Sequence, residues 1–173
     1  MYHSISFGTE GVYTAEEANL LGRSELAGML KGYNTWYDWH LIPASRPTIE
    51  HPQITTSFIK IPGRHGTIDL TNYICDYPIM ADRTGSFEFI AVEGYDDFRL
   101  MRIKMVEILH GRKMKMSFED DPWHYYVGRF SIKSWKNENI GPSITIDYQT
   151  EPYKYRVSTT SGVPDEKILD GDL

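Results

Sequence analysis

The chain has 173 residues, enough for one domain, with 40% apolar and 24% charged residues, the composition of an ordinary globular protein with a real core. It holds no run of about 18 apolar residues that could cross a membrane as a helix, and a net charge of −6 argues against a protein that grips nucleic acid by its phosphates. A single cysteine, Cys75, excludes an internal disulfide and a multi-cysteine metal site, and reads as a small core residue. The opening "MYHSISFGTE" has no basic leader before an apolar core, so no signal peptide is expected and folding in a reducing cytosol is.

In chain order, a short strand is expected near residues 3–7. The next segment, "TAEEANLLGRSELAGMLKG", places Glu17 three residues after Thr14. That spacing is a capping box, in which each side chain satisfies the other's free backbone N–H. It predicts a helix over 15–21 ended by Gly22, with a second helical turn over 25–30 stopped by Gly32. Residues 13–32 therefore read as a helical insertion.

From Trp36 the texture changes. "TWYDWHLIPASRPTI" holds two tryptophans and then two prolines, which lack the N–H a central strand must donate. Residues 33–50 are accordingly expected as an extended arm or edge segment. "QITTSFIKI" (53–61) is β-branched and reads as a strand, "PGRHG" as a turn, and "TIDL" (67–70) as the start of another extended piece. "SFEFIAV" (86–92) alternates and then becomes continuously apolar, as a largely buried strand would.

Asp97 is placed to cap a helix over 98–110, with Gly111 as its stop. Phe98, Met101, Met105, Ile108 and Leu109 fall within an arc of about 100°, the face a helix lays on its own sheet. Leu100 and Ile103 lie on the far side, near Arg99 and Glu107. They mark either a contact with a neighbouring subunit or two scattered apolar residues simply left exposed.

"KMKMSF" (113–118) alternates with Met114, Met116 and Phe118 on one face. "EDDP" breaks the pattern, and "WHYYVGRFSIKSW" (123–135) is a long strand with a bulge expected at Gly128. "KNENIGP" turns the chain, and "SITIDYQ" and "KYRVS" complete the sheet. Residues 159–173 read as a polar, acidic tail. The fold class is mainly β: a split barrel or sandwich of antiparallel strands with one flanking helix near 97–110 and an extended arm.

The stretch "FEDDPWHYYVGRF" (118–130) invites an enzymatic reading, because paired acids stand beside a histidine. Asp120 and Asp121 are neighbours, however, and on a strand they face opposite sides. Glycosidase carboxylates need a fixed separation across a sugar, which adjacency does not provide; acids before Pro122 are ordinary turn-makers. His3, His40, His51, His65, His110 and His124 are scattered, without the convergence a metal centre needs. "GRHG" lacks the lysine and hydroxyl of a phosphate loop, and no nucleophile elbow is present. The basic "HGRKMKM" (110–116) reads as the solvated face of a strand. No catalytic residue, cofactor or metal is expected.

Several pieces in order carry a resemblance: "YNTWYDWHLIPASRP" (33–47), "IPGRHGTIDLT" (61–71), "DRTGSFEF" (82–89), "EILHGRKMKMSFEDDPWHYYVGRF" (107–130) and "ITIDYQTEPYKY" (144–155). Together they resemble the N-terminal, tail-tube-like domain of the distal tail proteins of bacteriophages with long non-contractile tails. The resemblance implies residues 1–158 as one split barrel with a flanking helix, six copies of which form a ring, an arm reaching around the neighbour. It further implies a hub that joins the tail-tube protein to tail-tip and receptor-binding proteins, with DNA only as cargo through the channel and no membrane insertion. Such a protein would be made in the host cytoplasm and reside at the distal end of the virion's tail. Trp36, Trp39, Leu100 and Ile103 are the candidate subunit-interface residues, since aromatics dominate interface energetics. A net-acidic ring suits a DNA conduit because it repels phosphate. Many family members carry a further C-terminal sandwich domain; few residues follow Tyr155 here, so a carbohydrate-recognition role is not carried over, and the 13–32 insertion is longer than the family pattern. The alternatives are a tail-tube subunit of the same fold, or a small β-sandwich carbohydrate binder or hydrolase using Asp120, Asp121 and His124.

Overall fold

Alternating apolar and polar positions build one large antiparallel sheet in the computed structural model, which describes residues 3–73, 79–92, 95–138, 141–158 and 163–168. In chain order, β1 (Ile5–Gly8) precedes α1 (Ala15–Leu20), a 3-10 turn (Ser24–Leu26), β2 (Tyr33–Asn34) and β3 (Leu41–Pro43). Four short strands follow: β4 (Ile54–Thr55), β5 (Phe58–Ile59), β6 (Ile68–Asp69) and β7 (Ile79–Met80). Then come β8 (Arg83–Ala91), α2 (Tyr95–Leu109), β9 (Arg112–Phe118), β10 (Asp121–Glu138), β11 (Gly141–Thr150), β12 (Lys154–Arg156) and β13 (Glu166–Ile168). The main sheet runs β2-β1-β9-β10-β11-β8-β3 and curls into a half-barrel, with β12 and β13 attached beside β10. The expected class, mainly β with a flanking helix, is the class observed.

The inside of the curl is filled by Ile5, Phe7, Phe87, Phe89, Met116, Phe130, Ile144 and Ile146. Helix α2 closes it with Phe98, Met105 and Leu109, all fully buried, and Met101 and Ile108 pack at the margin. Burying each such side chain contributes about 1.5–3 kcal/mol, so this face holds the helix on the sheet. The helix begins at Tyr95, so Asp97 is not its cap but stands in its first turn, where a carboxylate opposes the positive end of the helix dipole. Gly111 ends the helix with φ 75° and donates its N–H to Phe130 O at 2.8 Å.

The capping box forms at the start of α1: the Thr14 Oγ1 accepts from Glu17 N at 3.2 Å, and the Glu17 carboxylate accepts from Thr14 N at 3.0 Å. Its second turn is a shorter 3-10 turn, and Ala18, Leu26 and Met29 make a small core of their own. Of the two readings of residues 33–50, the edge segment is the one observed and the free arm is not. β2 pairs with β1 at one edge of the main sheet and β3 pairs with β8 at the other, so this segment straps the two edges together. Thr35 N donates to Ile5 O at 2.9 Å, and Leu41 N to Thr35 O at 2.8 Å. Trp39 is 4% exposed, stacked on Tyr33 at 5.8 Å between ring centroids and tilted against Phe7. Burial of its large apolar ring is better satisfied in its own core than in a contact that would need it displayed.

Three further readings change. Gly128 is not a bulge: it pairs regularly with Thr150, and a Cβ there would lie 2.4 Å from Gln149 O, so the glycine permits a close strand approach. The irregularities sit on either side of it: downstream, Lys133 is an extra residue between the pairs Ile132–Ile146 and Ser134–Thr145, and upstream β10 pairs with β9 at Asp121 and again only at Tyr126. Between these points His124 and Tyr125 pair with β12 instead. The segment expected as a polar tail contains β13, which pairs with β12 and buries Ile168. The expectation for Cys75 lies outside the described residues.

Arg83, 1% exposed, went unremarked in the sequence. Its Nε and Nη2 donate to Pro152 O at 2.9 and 2.6 Å, its Nη1 to Glu50 O at 3.3 Å, and its guanidinium lies 5.4 Å from the centre of the Tyr126 ring. Glu50 and Arg83 bracket residues 51–82, so one side chain ties the two roots of that excursion together. Replacing Arg83 with Ala strands two carbonyls and opens a cavity, and is expected to lower unfolding free energy in denaturant titration by about 3 kcal/mol or more. Trp39→Ala is expected to cost about 3–5 kcal/mol, whereas Leu100→Asp, at an exposed position, stays within about 0.5 kcal/mol of the parent.

Candidate functional site

The acidic hairpin between β9 and β10 spreads its three carboxylates over the N-terminal segment, the strap and β12. Glu119 accepts from Ser4 N at 2.9 Å and from Ser4 Oγ at 3.2 Å. Asp120 takes His3 Nδ1 at 2.8 Å and Arg46 Nε at 2.9 Å. Asp121 holds His124 Nδ1 at 2.7 Å and the Lys154 ammonium. The two aspartates thus point to separate partners, the first to the N-terminal segment and the strap, the second to β12. Trp123, with φ 71°, turns the chain here against Gly28, where an added Cβ would meet the indole at 2.9 Å. The arrangement fastens segments; it does not aim two carboxylates at a shared space.

A second polar network docks β12 and β13. Tyr125 Oη donates to Asp165 Oδ2 at 2.5 Å, and Asp165 Oδ1 accepts from Ser158 N at 2.9 Å. Tyr155 Oη donates to Glu151 Oε2 at 2.5 Å, which also takes Lys113 Nζ on its other oxygen at 3.0 Å. Burial, and then the adjacent carboxylate, push the Tyr155 phenol up to about 12 and raise that of Tyr125 as well. The bond from Tyr155, with help from Lys113, holds the Glu151 carboxyl below its ordinary value against the effect of burial. For Asp165 burial works upward, but the bonds from Tyr125 and Ser158 and the Lys115 charge outweigh it, and the carboxyl is lowered.

The remaining candidates are surfaces. β4 pairs only with β7 and β5 only with β6, forming a ribbon separate from the main sheet. Ile54, Phe58, Ile59, Ile61, Tyr73 and Ile79 all stand exposed on it, Phe58 at 57% and Tyr73 at 82%. Phe58 and Ile59 are successive strand residues and so project to opposite faces. On α2, Leu100, Ile103 and Val106 are exposed on the side away from the sheet. At the end of α1, Leu20 is 88% exposed and Leu21 stands out beside it. Of the interface candidates, Leu100 and Ile103 therefore lie on a free face, Trp36 is half-buried edge-on to His40, and Trp39 is core. The ribbon was missed as a unit, although its signal was present: β-branched stretches flank "PGRHG" with apolar residues at consecutive positions, which one buried face cannot accommodate.

The convex side of β8, β10 and β11 carries an open trough of about 560 Å³ lined by Thr84, Ser86, Arg129, Ser131, Lys133, Asp147 and Gln149, among others. Among the described residues, no group of three or more His, Cys, Asp or Glu side chains could hold a metal ion, and no helix is long and apolar enough to cross a membrane.

Because Asp165 and Glu151 are lowered in the folded chain, their contribution is present above the unfolded carboxylate value of about 4 and is lost as pH falls through the lower folded value. Amide exchange of residues 154–156 and 166–168 is expected to accelerate below pH of about 4 while the main sheet stays protected, and Asp165→Asn removes most of that dependence.

No protein-family model matches the sequence, and no curated protein does. Among solved structures, the chain is similar to the crystal structure of the SPP1 Dit (gp 19.1) protein, described as a paradigm of the hub adsorption apparatus in phages infecting Gram-positive hosts. The match has a TM-score of 0.48 and 18% identity, and covers 67% of this chain and 44% of that protein, so the chain spans less than half of its length.

Proposed function

We propose that this protein is a structural subunit of a bacteriophage tail tip. In this reading copies of it close into a ring, probed below as a hexamer, that joins the tail tube to tail-tip and receptor-binding proteins and leaves a channel for DNA. The observation that carries the reading is the ribbon of residues 53–81. Its segment 53–61, which holds β4 and β5, spans at most about 30 Å when fully extended, and its apolar side chains are exposed. Exposed apolar residues gathered on one element are what an interface would cover, and an element apolar on two faces fits between two bodies. The arm that the family resemblance implies is thus assigned to residues 51–82 in place of 33–50.

The rest of the structure supports this reading. Residues 1–158 are taken as the ring-forming unit, with 163–168 folded against it. The apolar outer side of α2 supplies a second contact surface on the opposite side from the core. The acids of the hairpin, which motivated the hydrolase alternative, are each engaged by cations or backbone N–H groups from other segments, so the role assigned to them is architectural and no cofactor is invoked. A net charge of −6 per copy makes the assembly acidic overall, compatible with passage of DNA without capture. The ring's place is the distal end of the tail in the virion, after assembly in the host cytoplasm.

Light-scattering mass and negative-stain electron microscopy of the purified chain test the reading. The expected result is a closed ring of about six copies of a 20.0 kDa chain, reduced to monomer by Phe58→Asp with Ile79→Asp at unchanged melting temperature. Long stacked tubes would replace the hub by a tail-tube subunit. A monomer at every concentration would refute the ring.

A further inference from the structure

The insertion displays two leucines at the end of a helix held rigidly in place. Thr14 and Glu17 cap α1, Lys31 Nζ donates to Glu17 at 2.7 Å, and Arg23 lies 4.3 Å from the centre of the Tyr37 ring. Gly22, at φ 67°, turns the chain immediately after Leu20 and Leu21. Glu16, exposed one turn before Leu20, shares its side of the helix. Glu25, in the next turn, is paired with Arg23 at 3.6 Å, so the apolar tip carries one acidic neighbour, Glu16, on its own side of the helix. On the outer side of α2, Leu100, Ile103 and Val106 are exposed with Arg99, Lys104 and Glu107, so cations outnumber anions there by one between residues 99 and 107, while Arg102 turns inward over the Trp135 ring at 4.7 Å.

We infer that the Leu20–Leu21 tip of one copy docks on the outer face of α2 of a second copy, with Glu16 facing Arg99 or Lys104. This rests on the reading of the protein as a self-assembling subunit and names one of its contacts. The two surfaces do not meet within a chain. Gly28 of the insertion packs on Pro122 and Trp123 at the start of β10, whereas α2 packs on Phe130 and Trp135 farther along it. Both surfaces are left open in each copy, which is the geometry of a head-to-tail contact that repeats until the assembly closes.

The test uses the full chain. Sedimentation over a concentration series should show Leu20→Asp with Leu21→Asp, and separately Glu16→Lys, weakening self-association about tenfold or more without altering circular dichroism. Arg99→Glu with Lys104→Glu should weaken it likewise, and combining those changes with Glu16→Lys should restore part of the loss. In a Cys75→Ser background, Leu20→Cys with Ile103→Cys should form disulfide-linked multimers under mild oxidation, and neither single cysteine should build chains longer than two. Full assembly of the tip variants with no ladder overturns this contact and leaves the ring reading standing. Failure of the parent chain to assemble overturns both.

Discussion

The buried guanidinium of Arg83 is the point on which the architecture turns. A charge withdrawn from water is costly unless its donors are satisfied, and Arg83 meets that demand with two backbone carbonyls and an aromatic face. The carbonyls come from Glu50, where the strap ends, and Pro152, where β11 gives way to the C-terminal hairpin. Arginine suits the place because a planar fork of donors can reach several acceptors at once, which a lysine ammonium on a flexible stem does less well. With both roots of the excursion 51–82 held at one side chain, the ribbon can project without a core of its own. Its apolar residues are thereby available for assembly and need not fold back.

The molecule divides its interactions by place. Apolar burial holds α2, the strap, β1 and the four long strands of the half-barrel. Charged hydrogen bonds take over at the far end of β10, where the strand leaves β9 and the core thins. There Glu119, Asp120 and Asp121 fasten the N-terminal segment, the strap and β12 in turn, and the Tyr125–Asp165 bond fastens β13. Polar joints of this kind fix position more than they stabilise, since partly exposed ion pairs are worth little individually. What remains unpartnered outside is apolar: the ribbon, the α2 outer face and the α1 tip. Three such surfaces on one small chain are more than scattered exposed residues and give the assembly reading its physical content.

Much of this was legible locally, because the controlling interactions are local. The capping box at Thr14 and Glu17, the α2 face from Phe98 to Leu109, the alternation of β9 and the turn chemistry of Glu119 to Pro122 each depend on residues a few positions apart, whose geometry the backbone dictates. The exposed side of α2 followed from the same periodicity. The enzymatic look of "FEDDPWH" dissolved on the same ground, since neighbouring residues on a strand diverge.

Tertiary structure alone decided where long-range partners meet. Prolines and tryptophans in residues 33–50 correctly denied that segment a central strand, yet an edge strand and a free arm satisfy the same pattern; only closure of the sheet makes it a strap and buries Trp39 while leaving Trp36 half-exposed. Gly128 read as a bulge because sequence does not reveal that a neighbouring strand's carbonyl would lie within reach of its Cβ. Arg83 looked like any charged residue beside a turn, since the carbonyls that hold it are far away in the chain. Composition and periodicity determined that this is a β-sheet protein with one amphipathic helix. Which apolar residues become core and which stay exposed was set by contacts between distant segments, and those exist only once the sheet has curled.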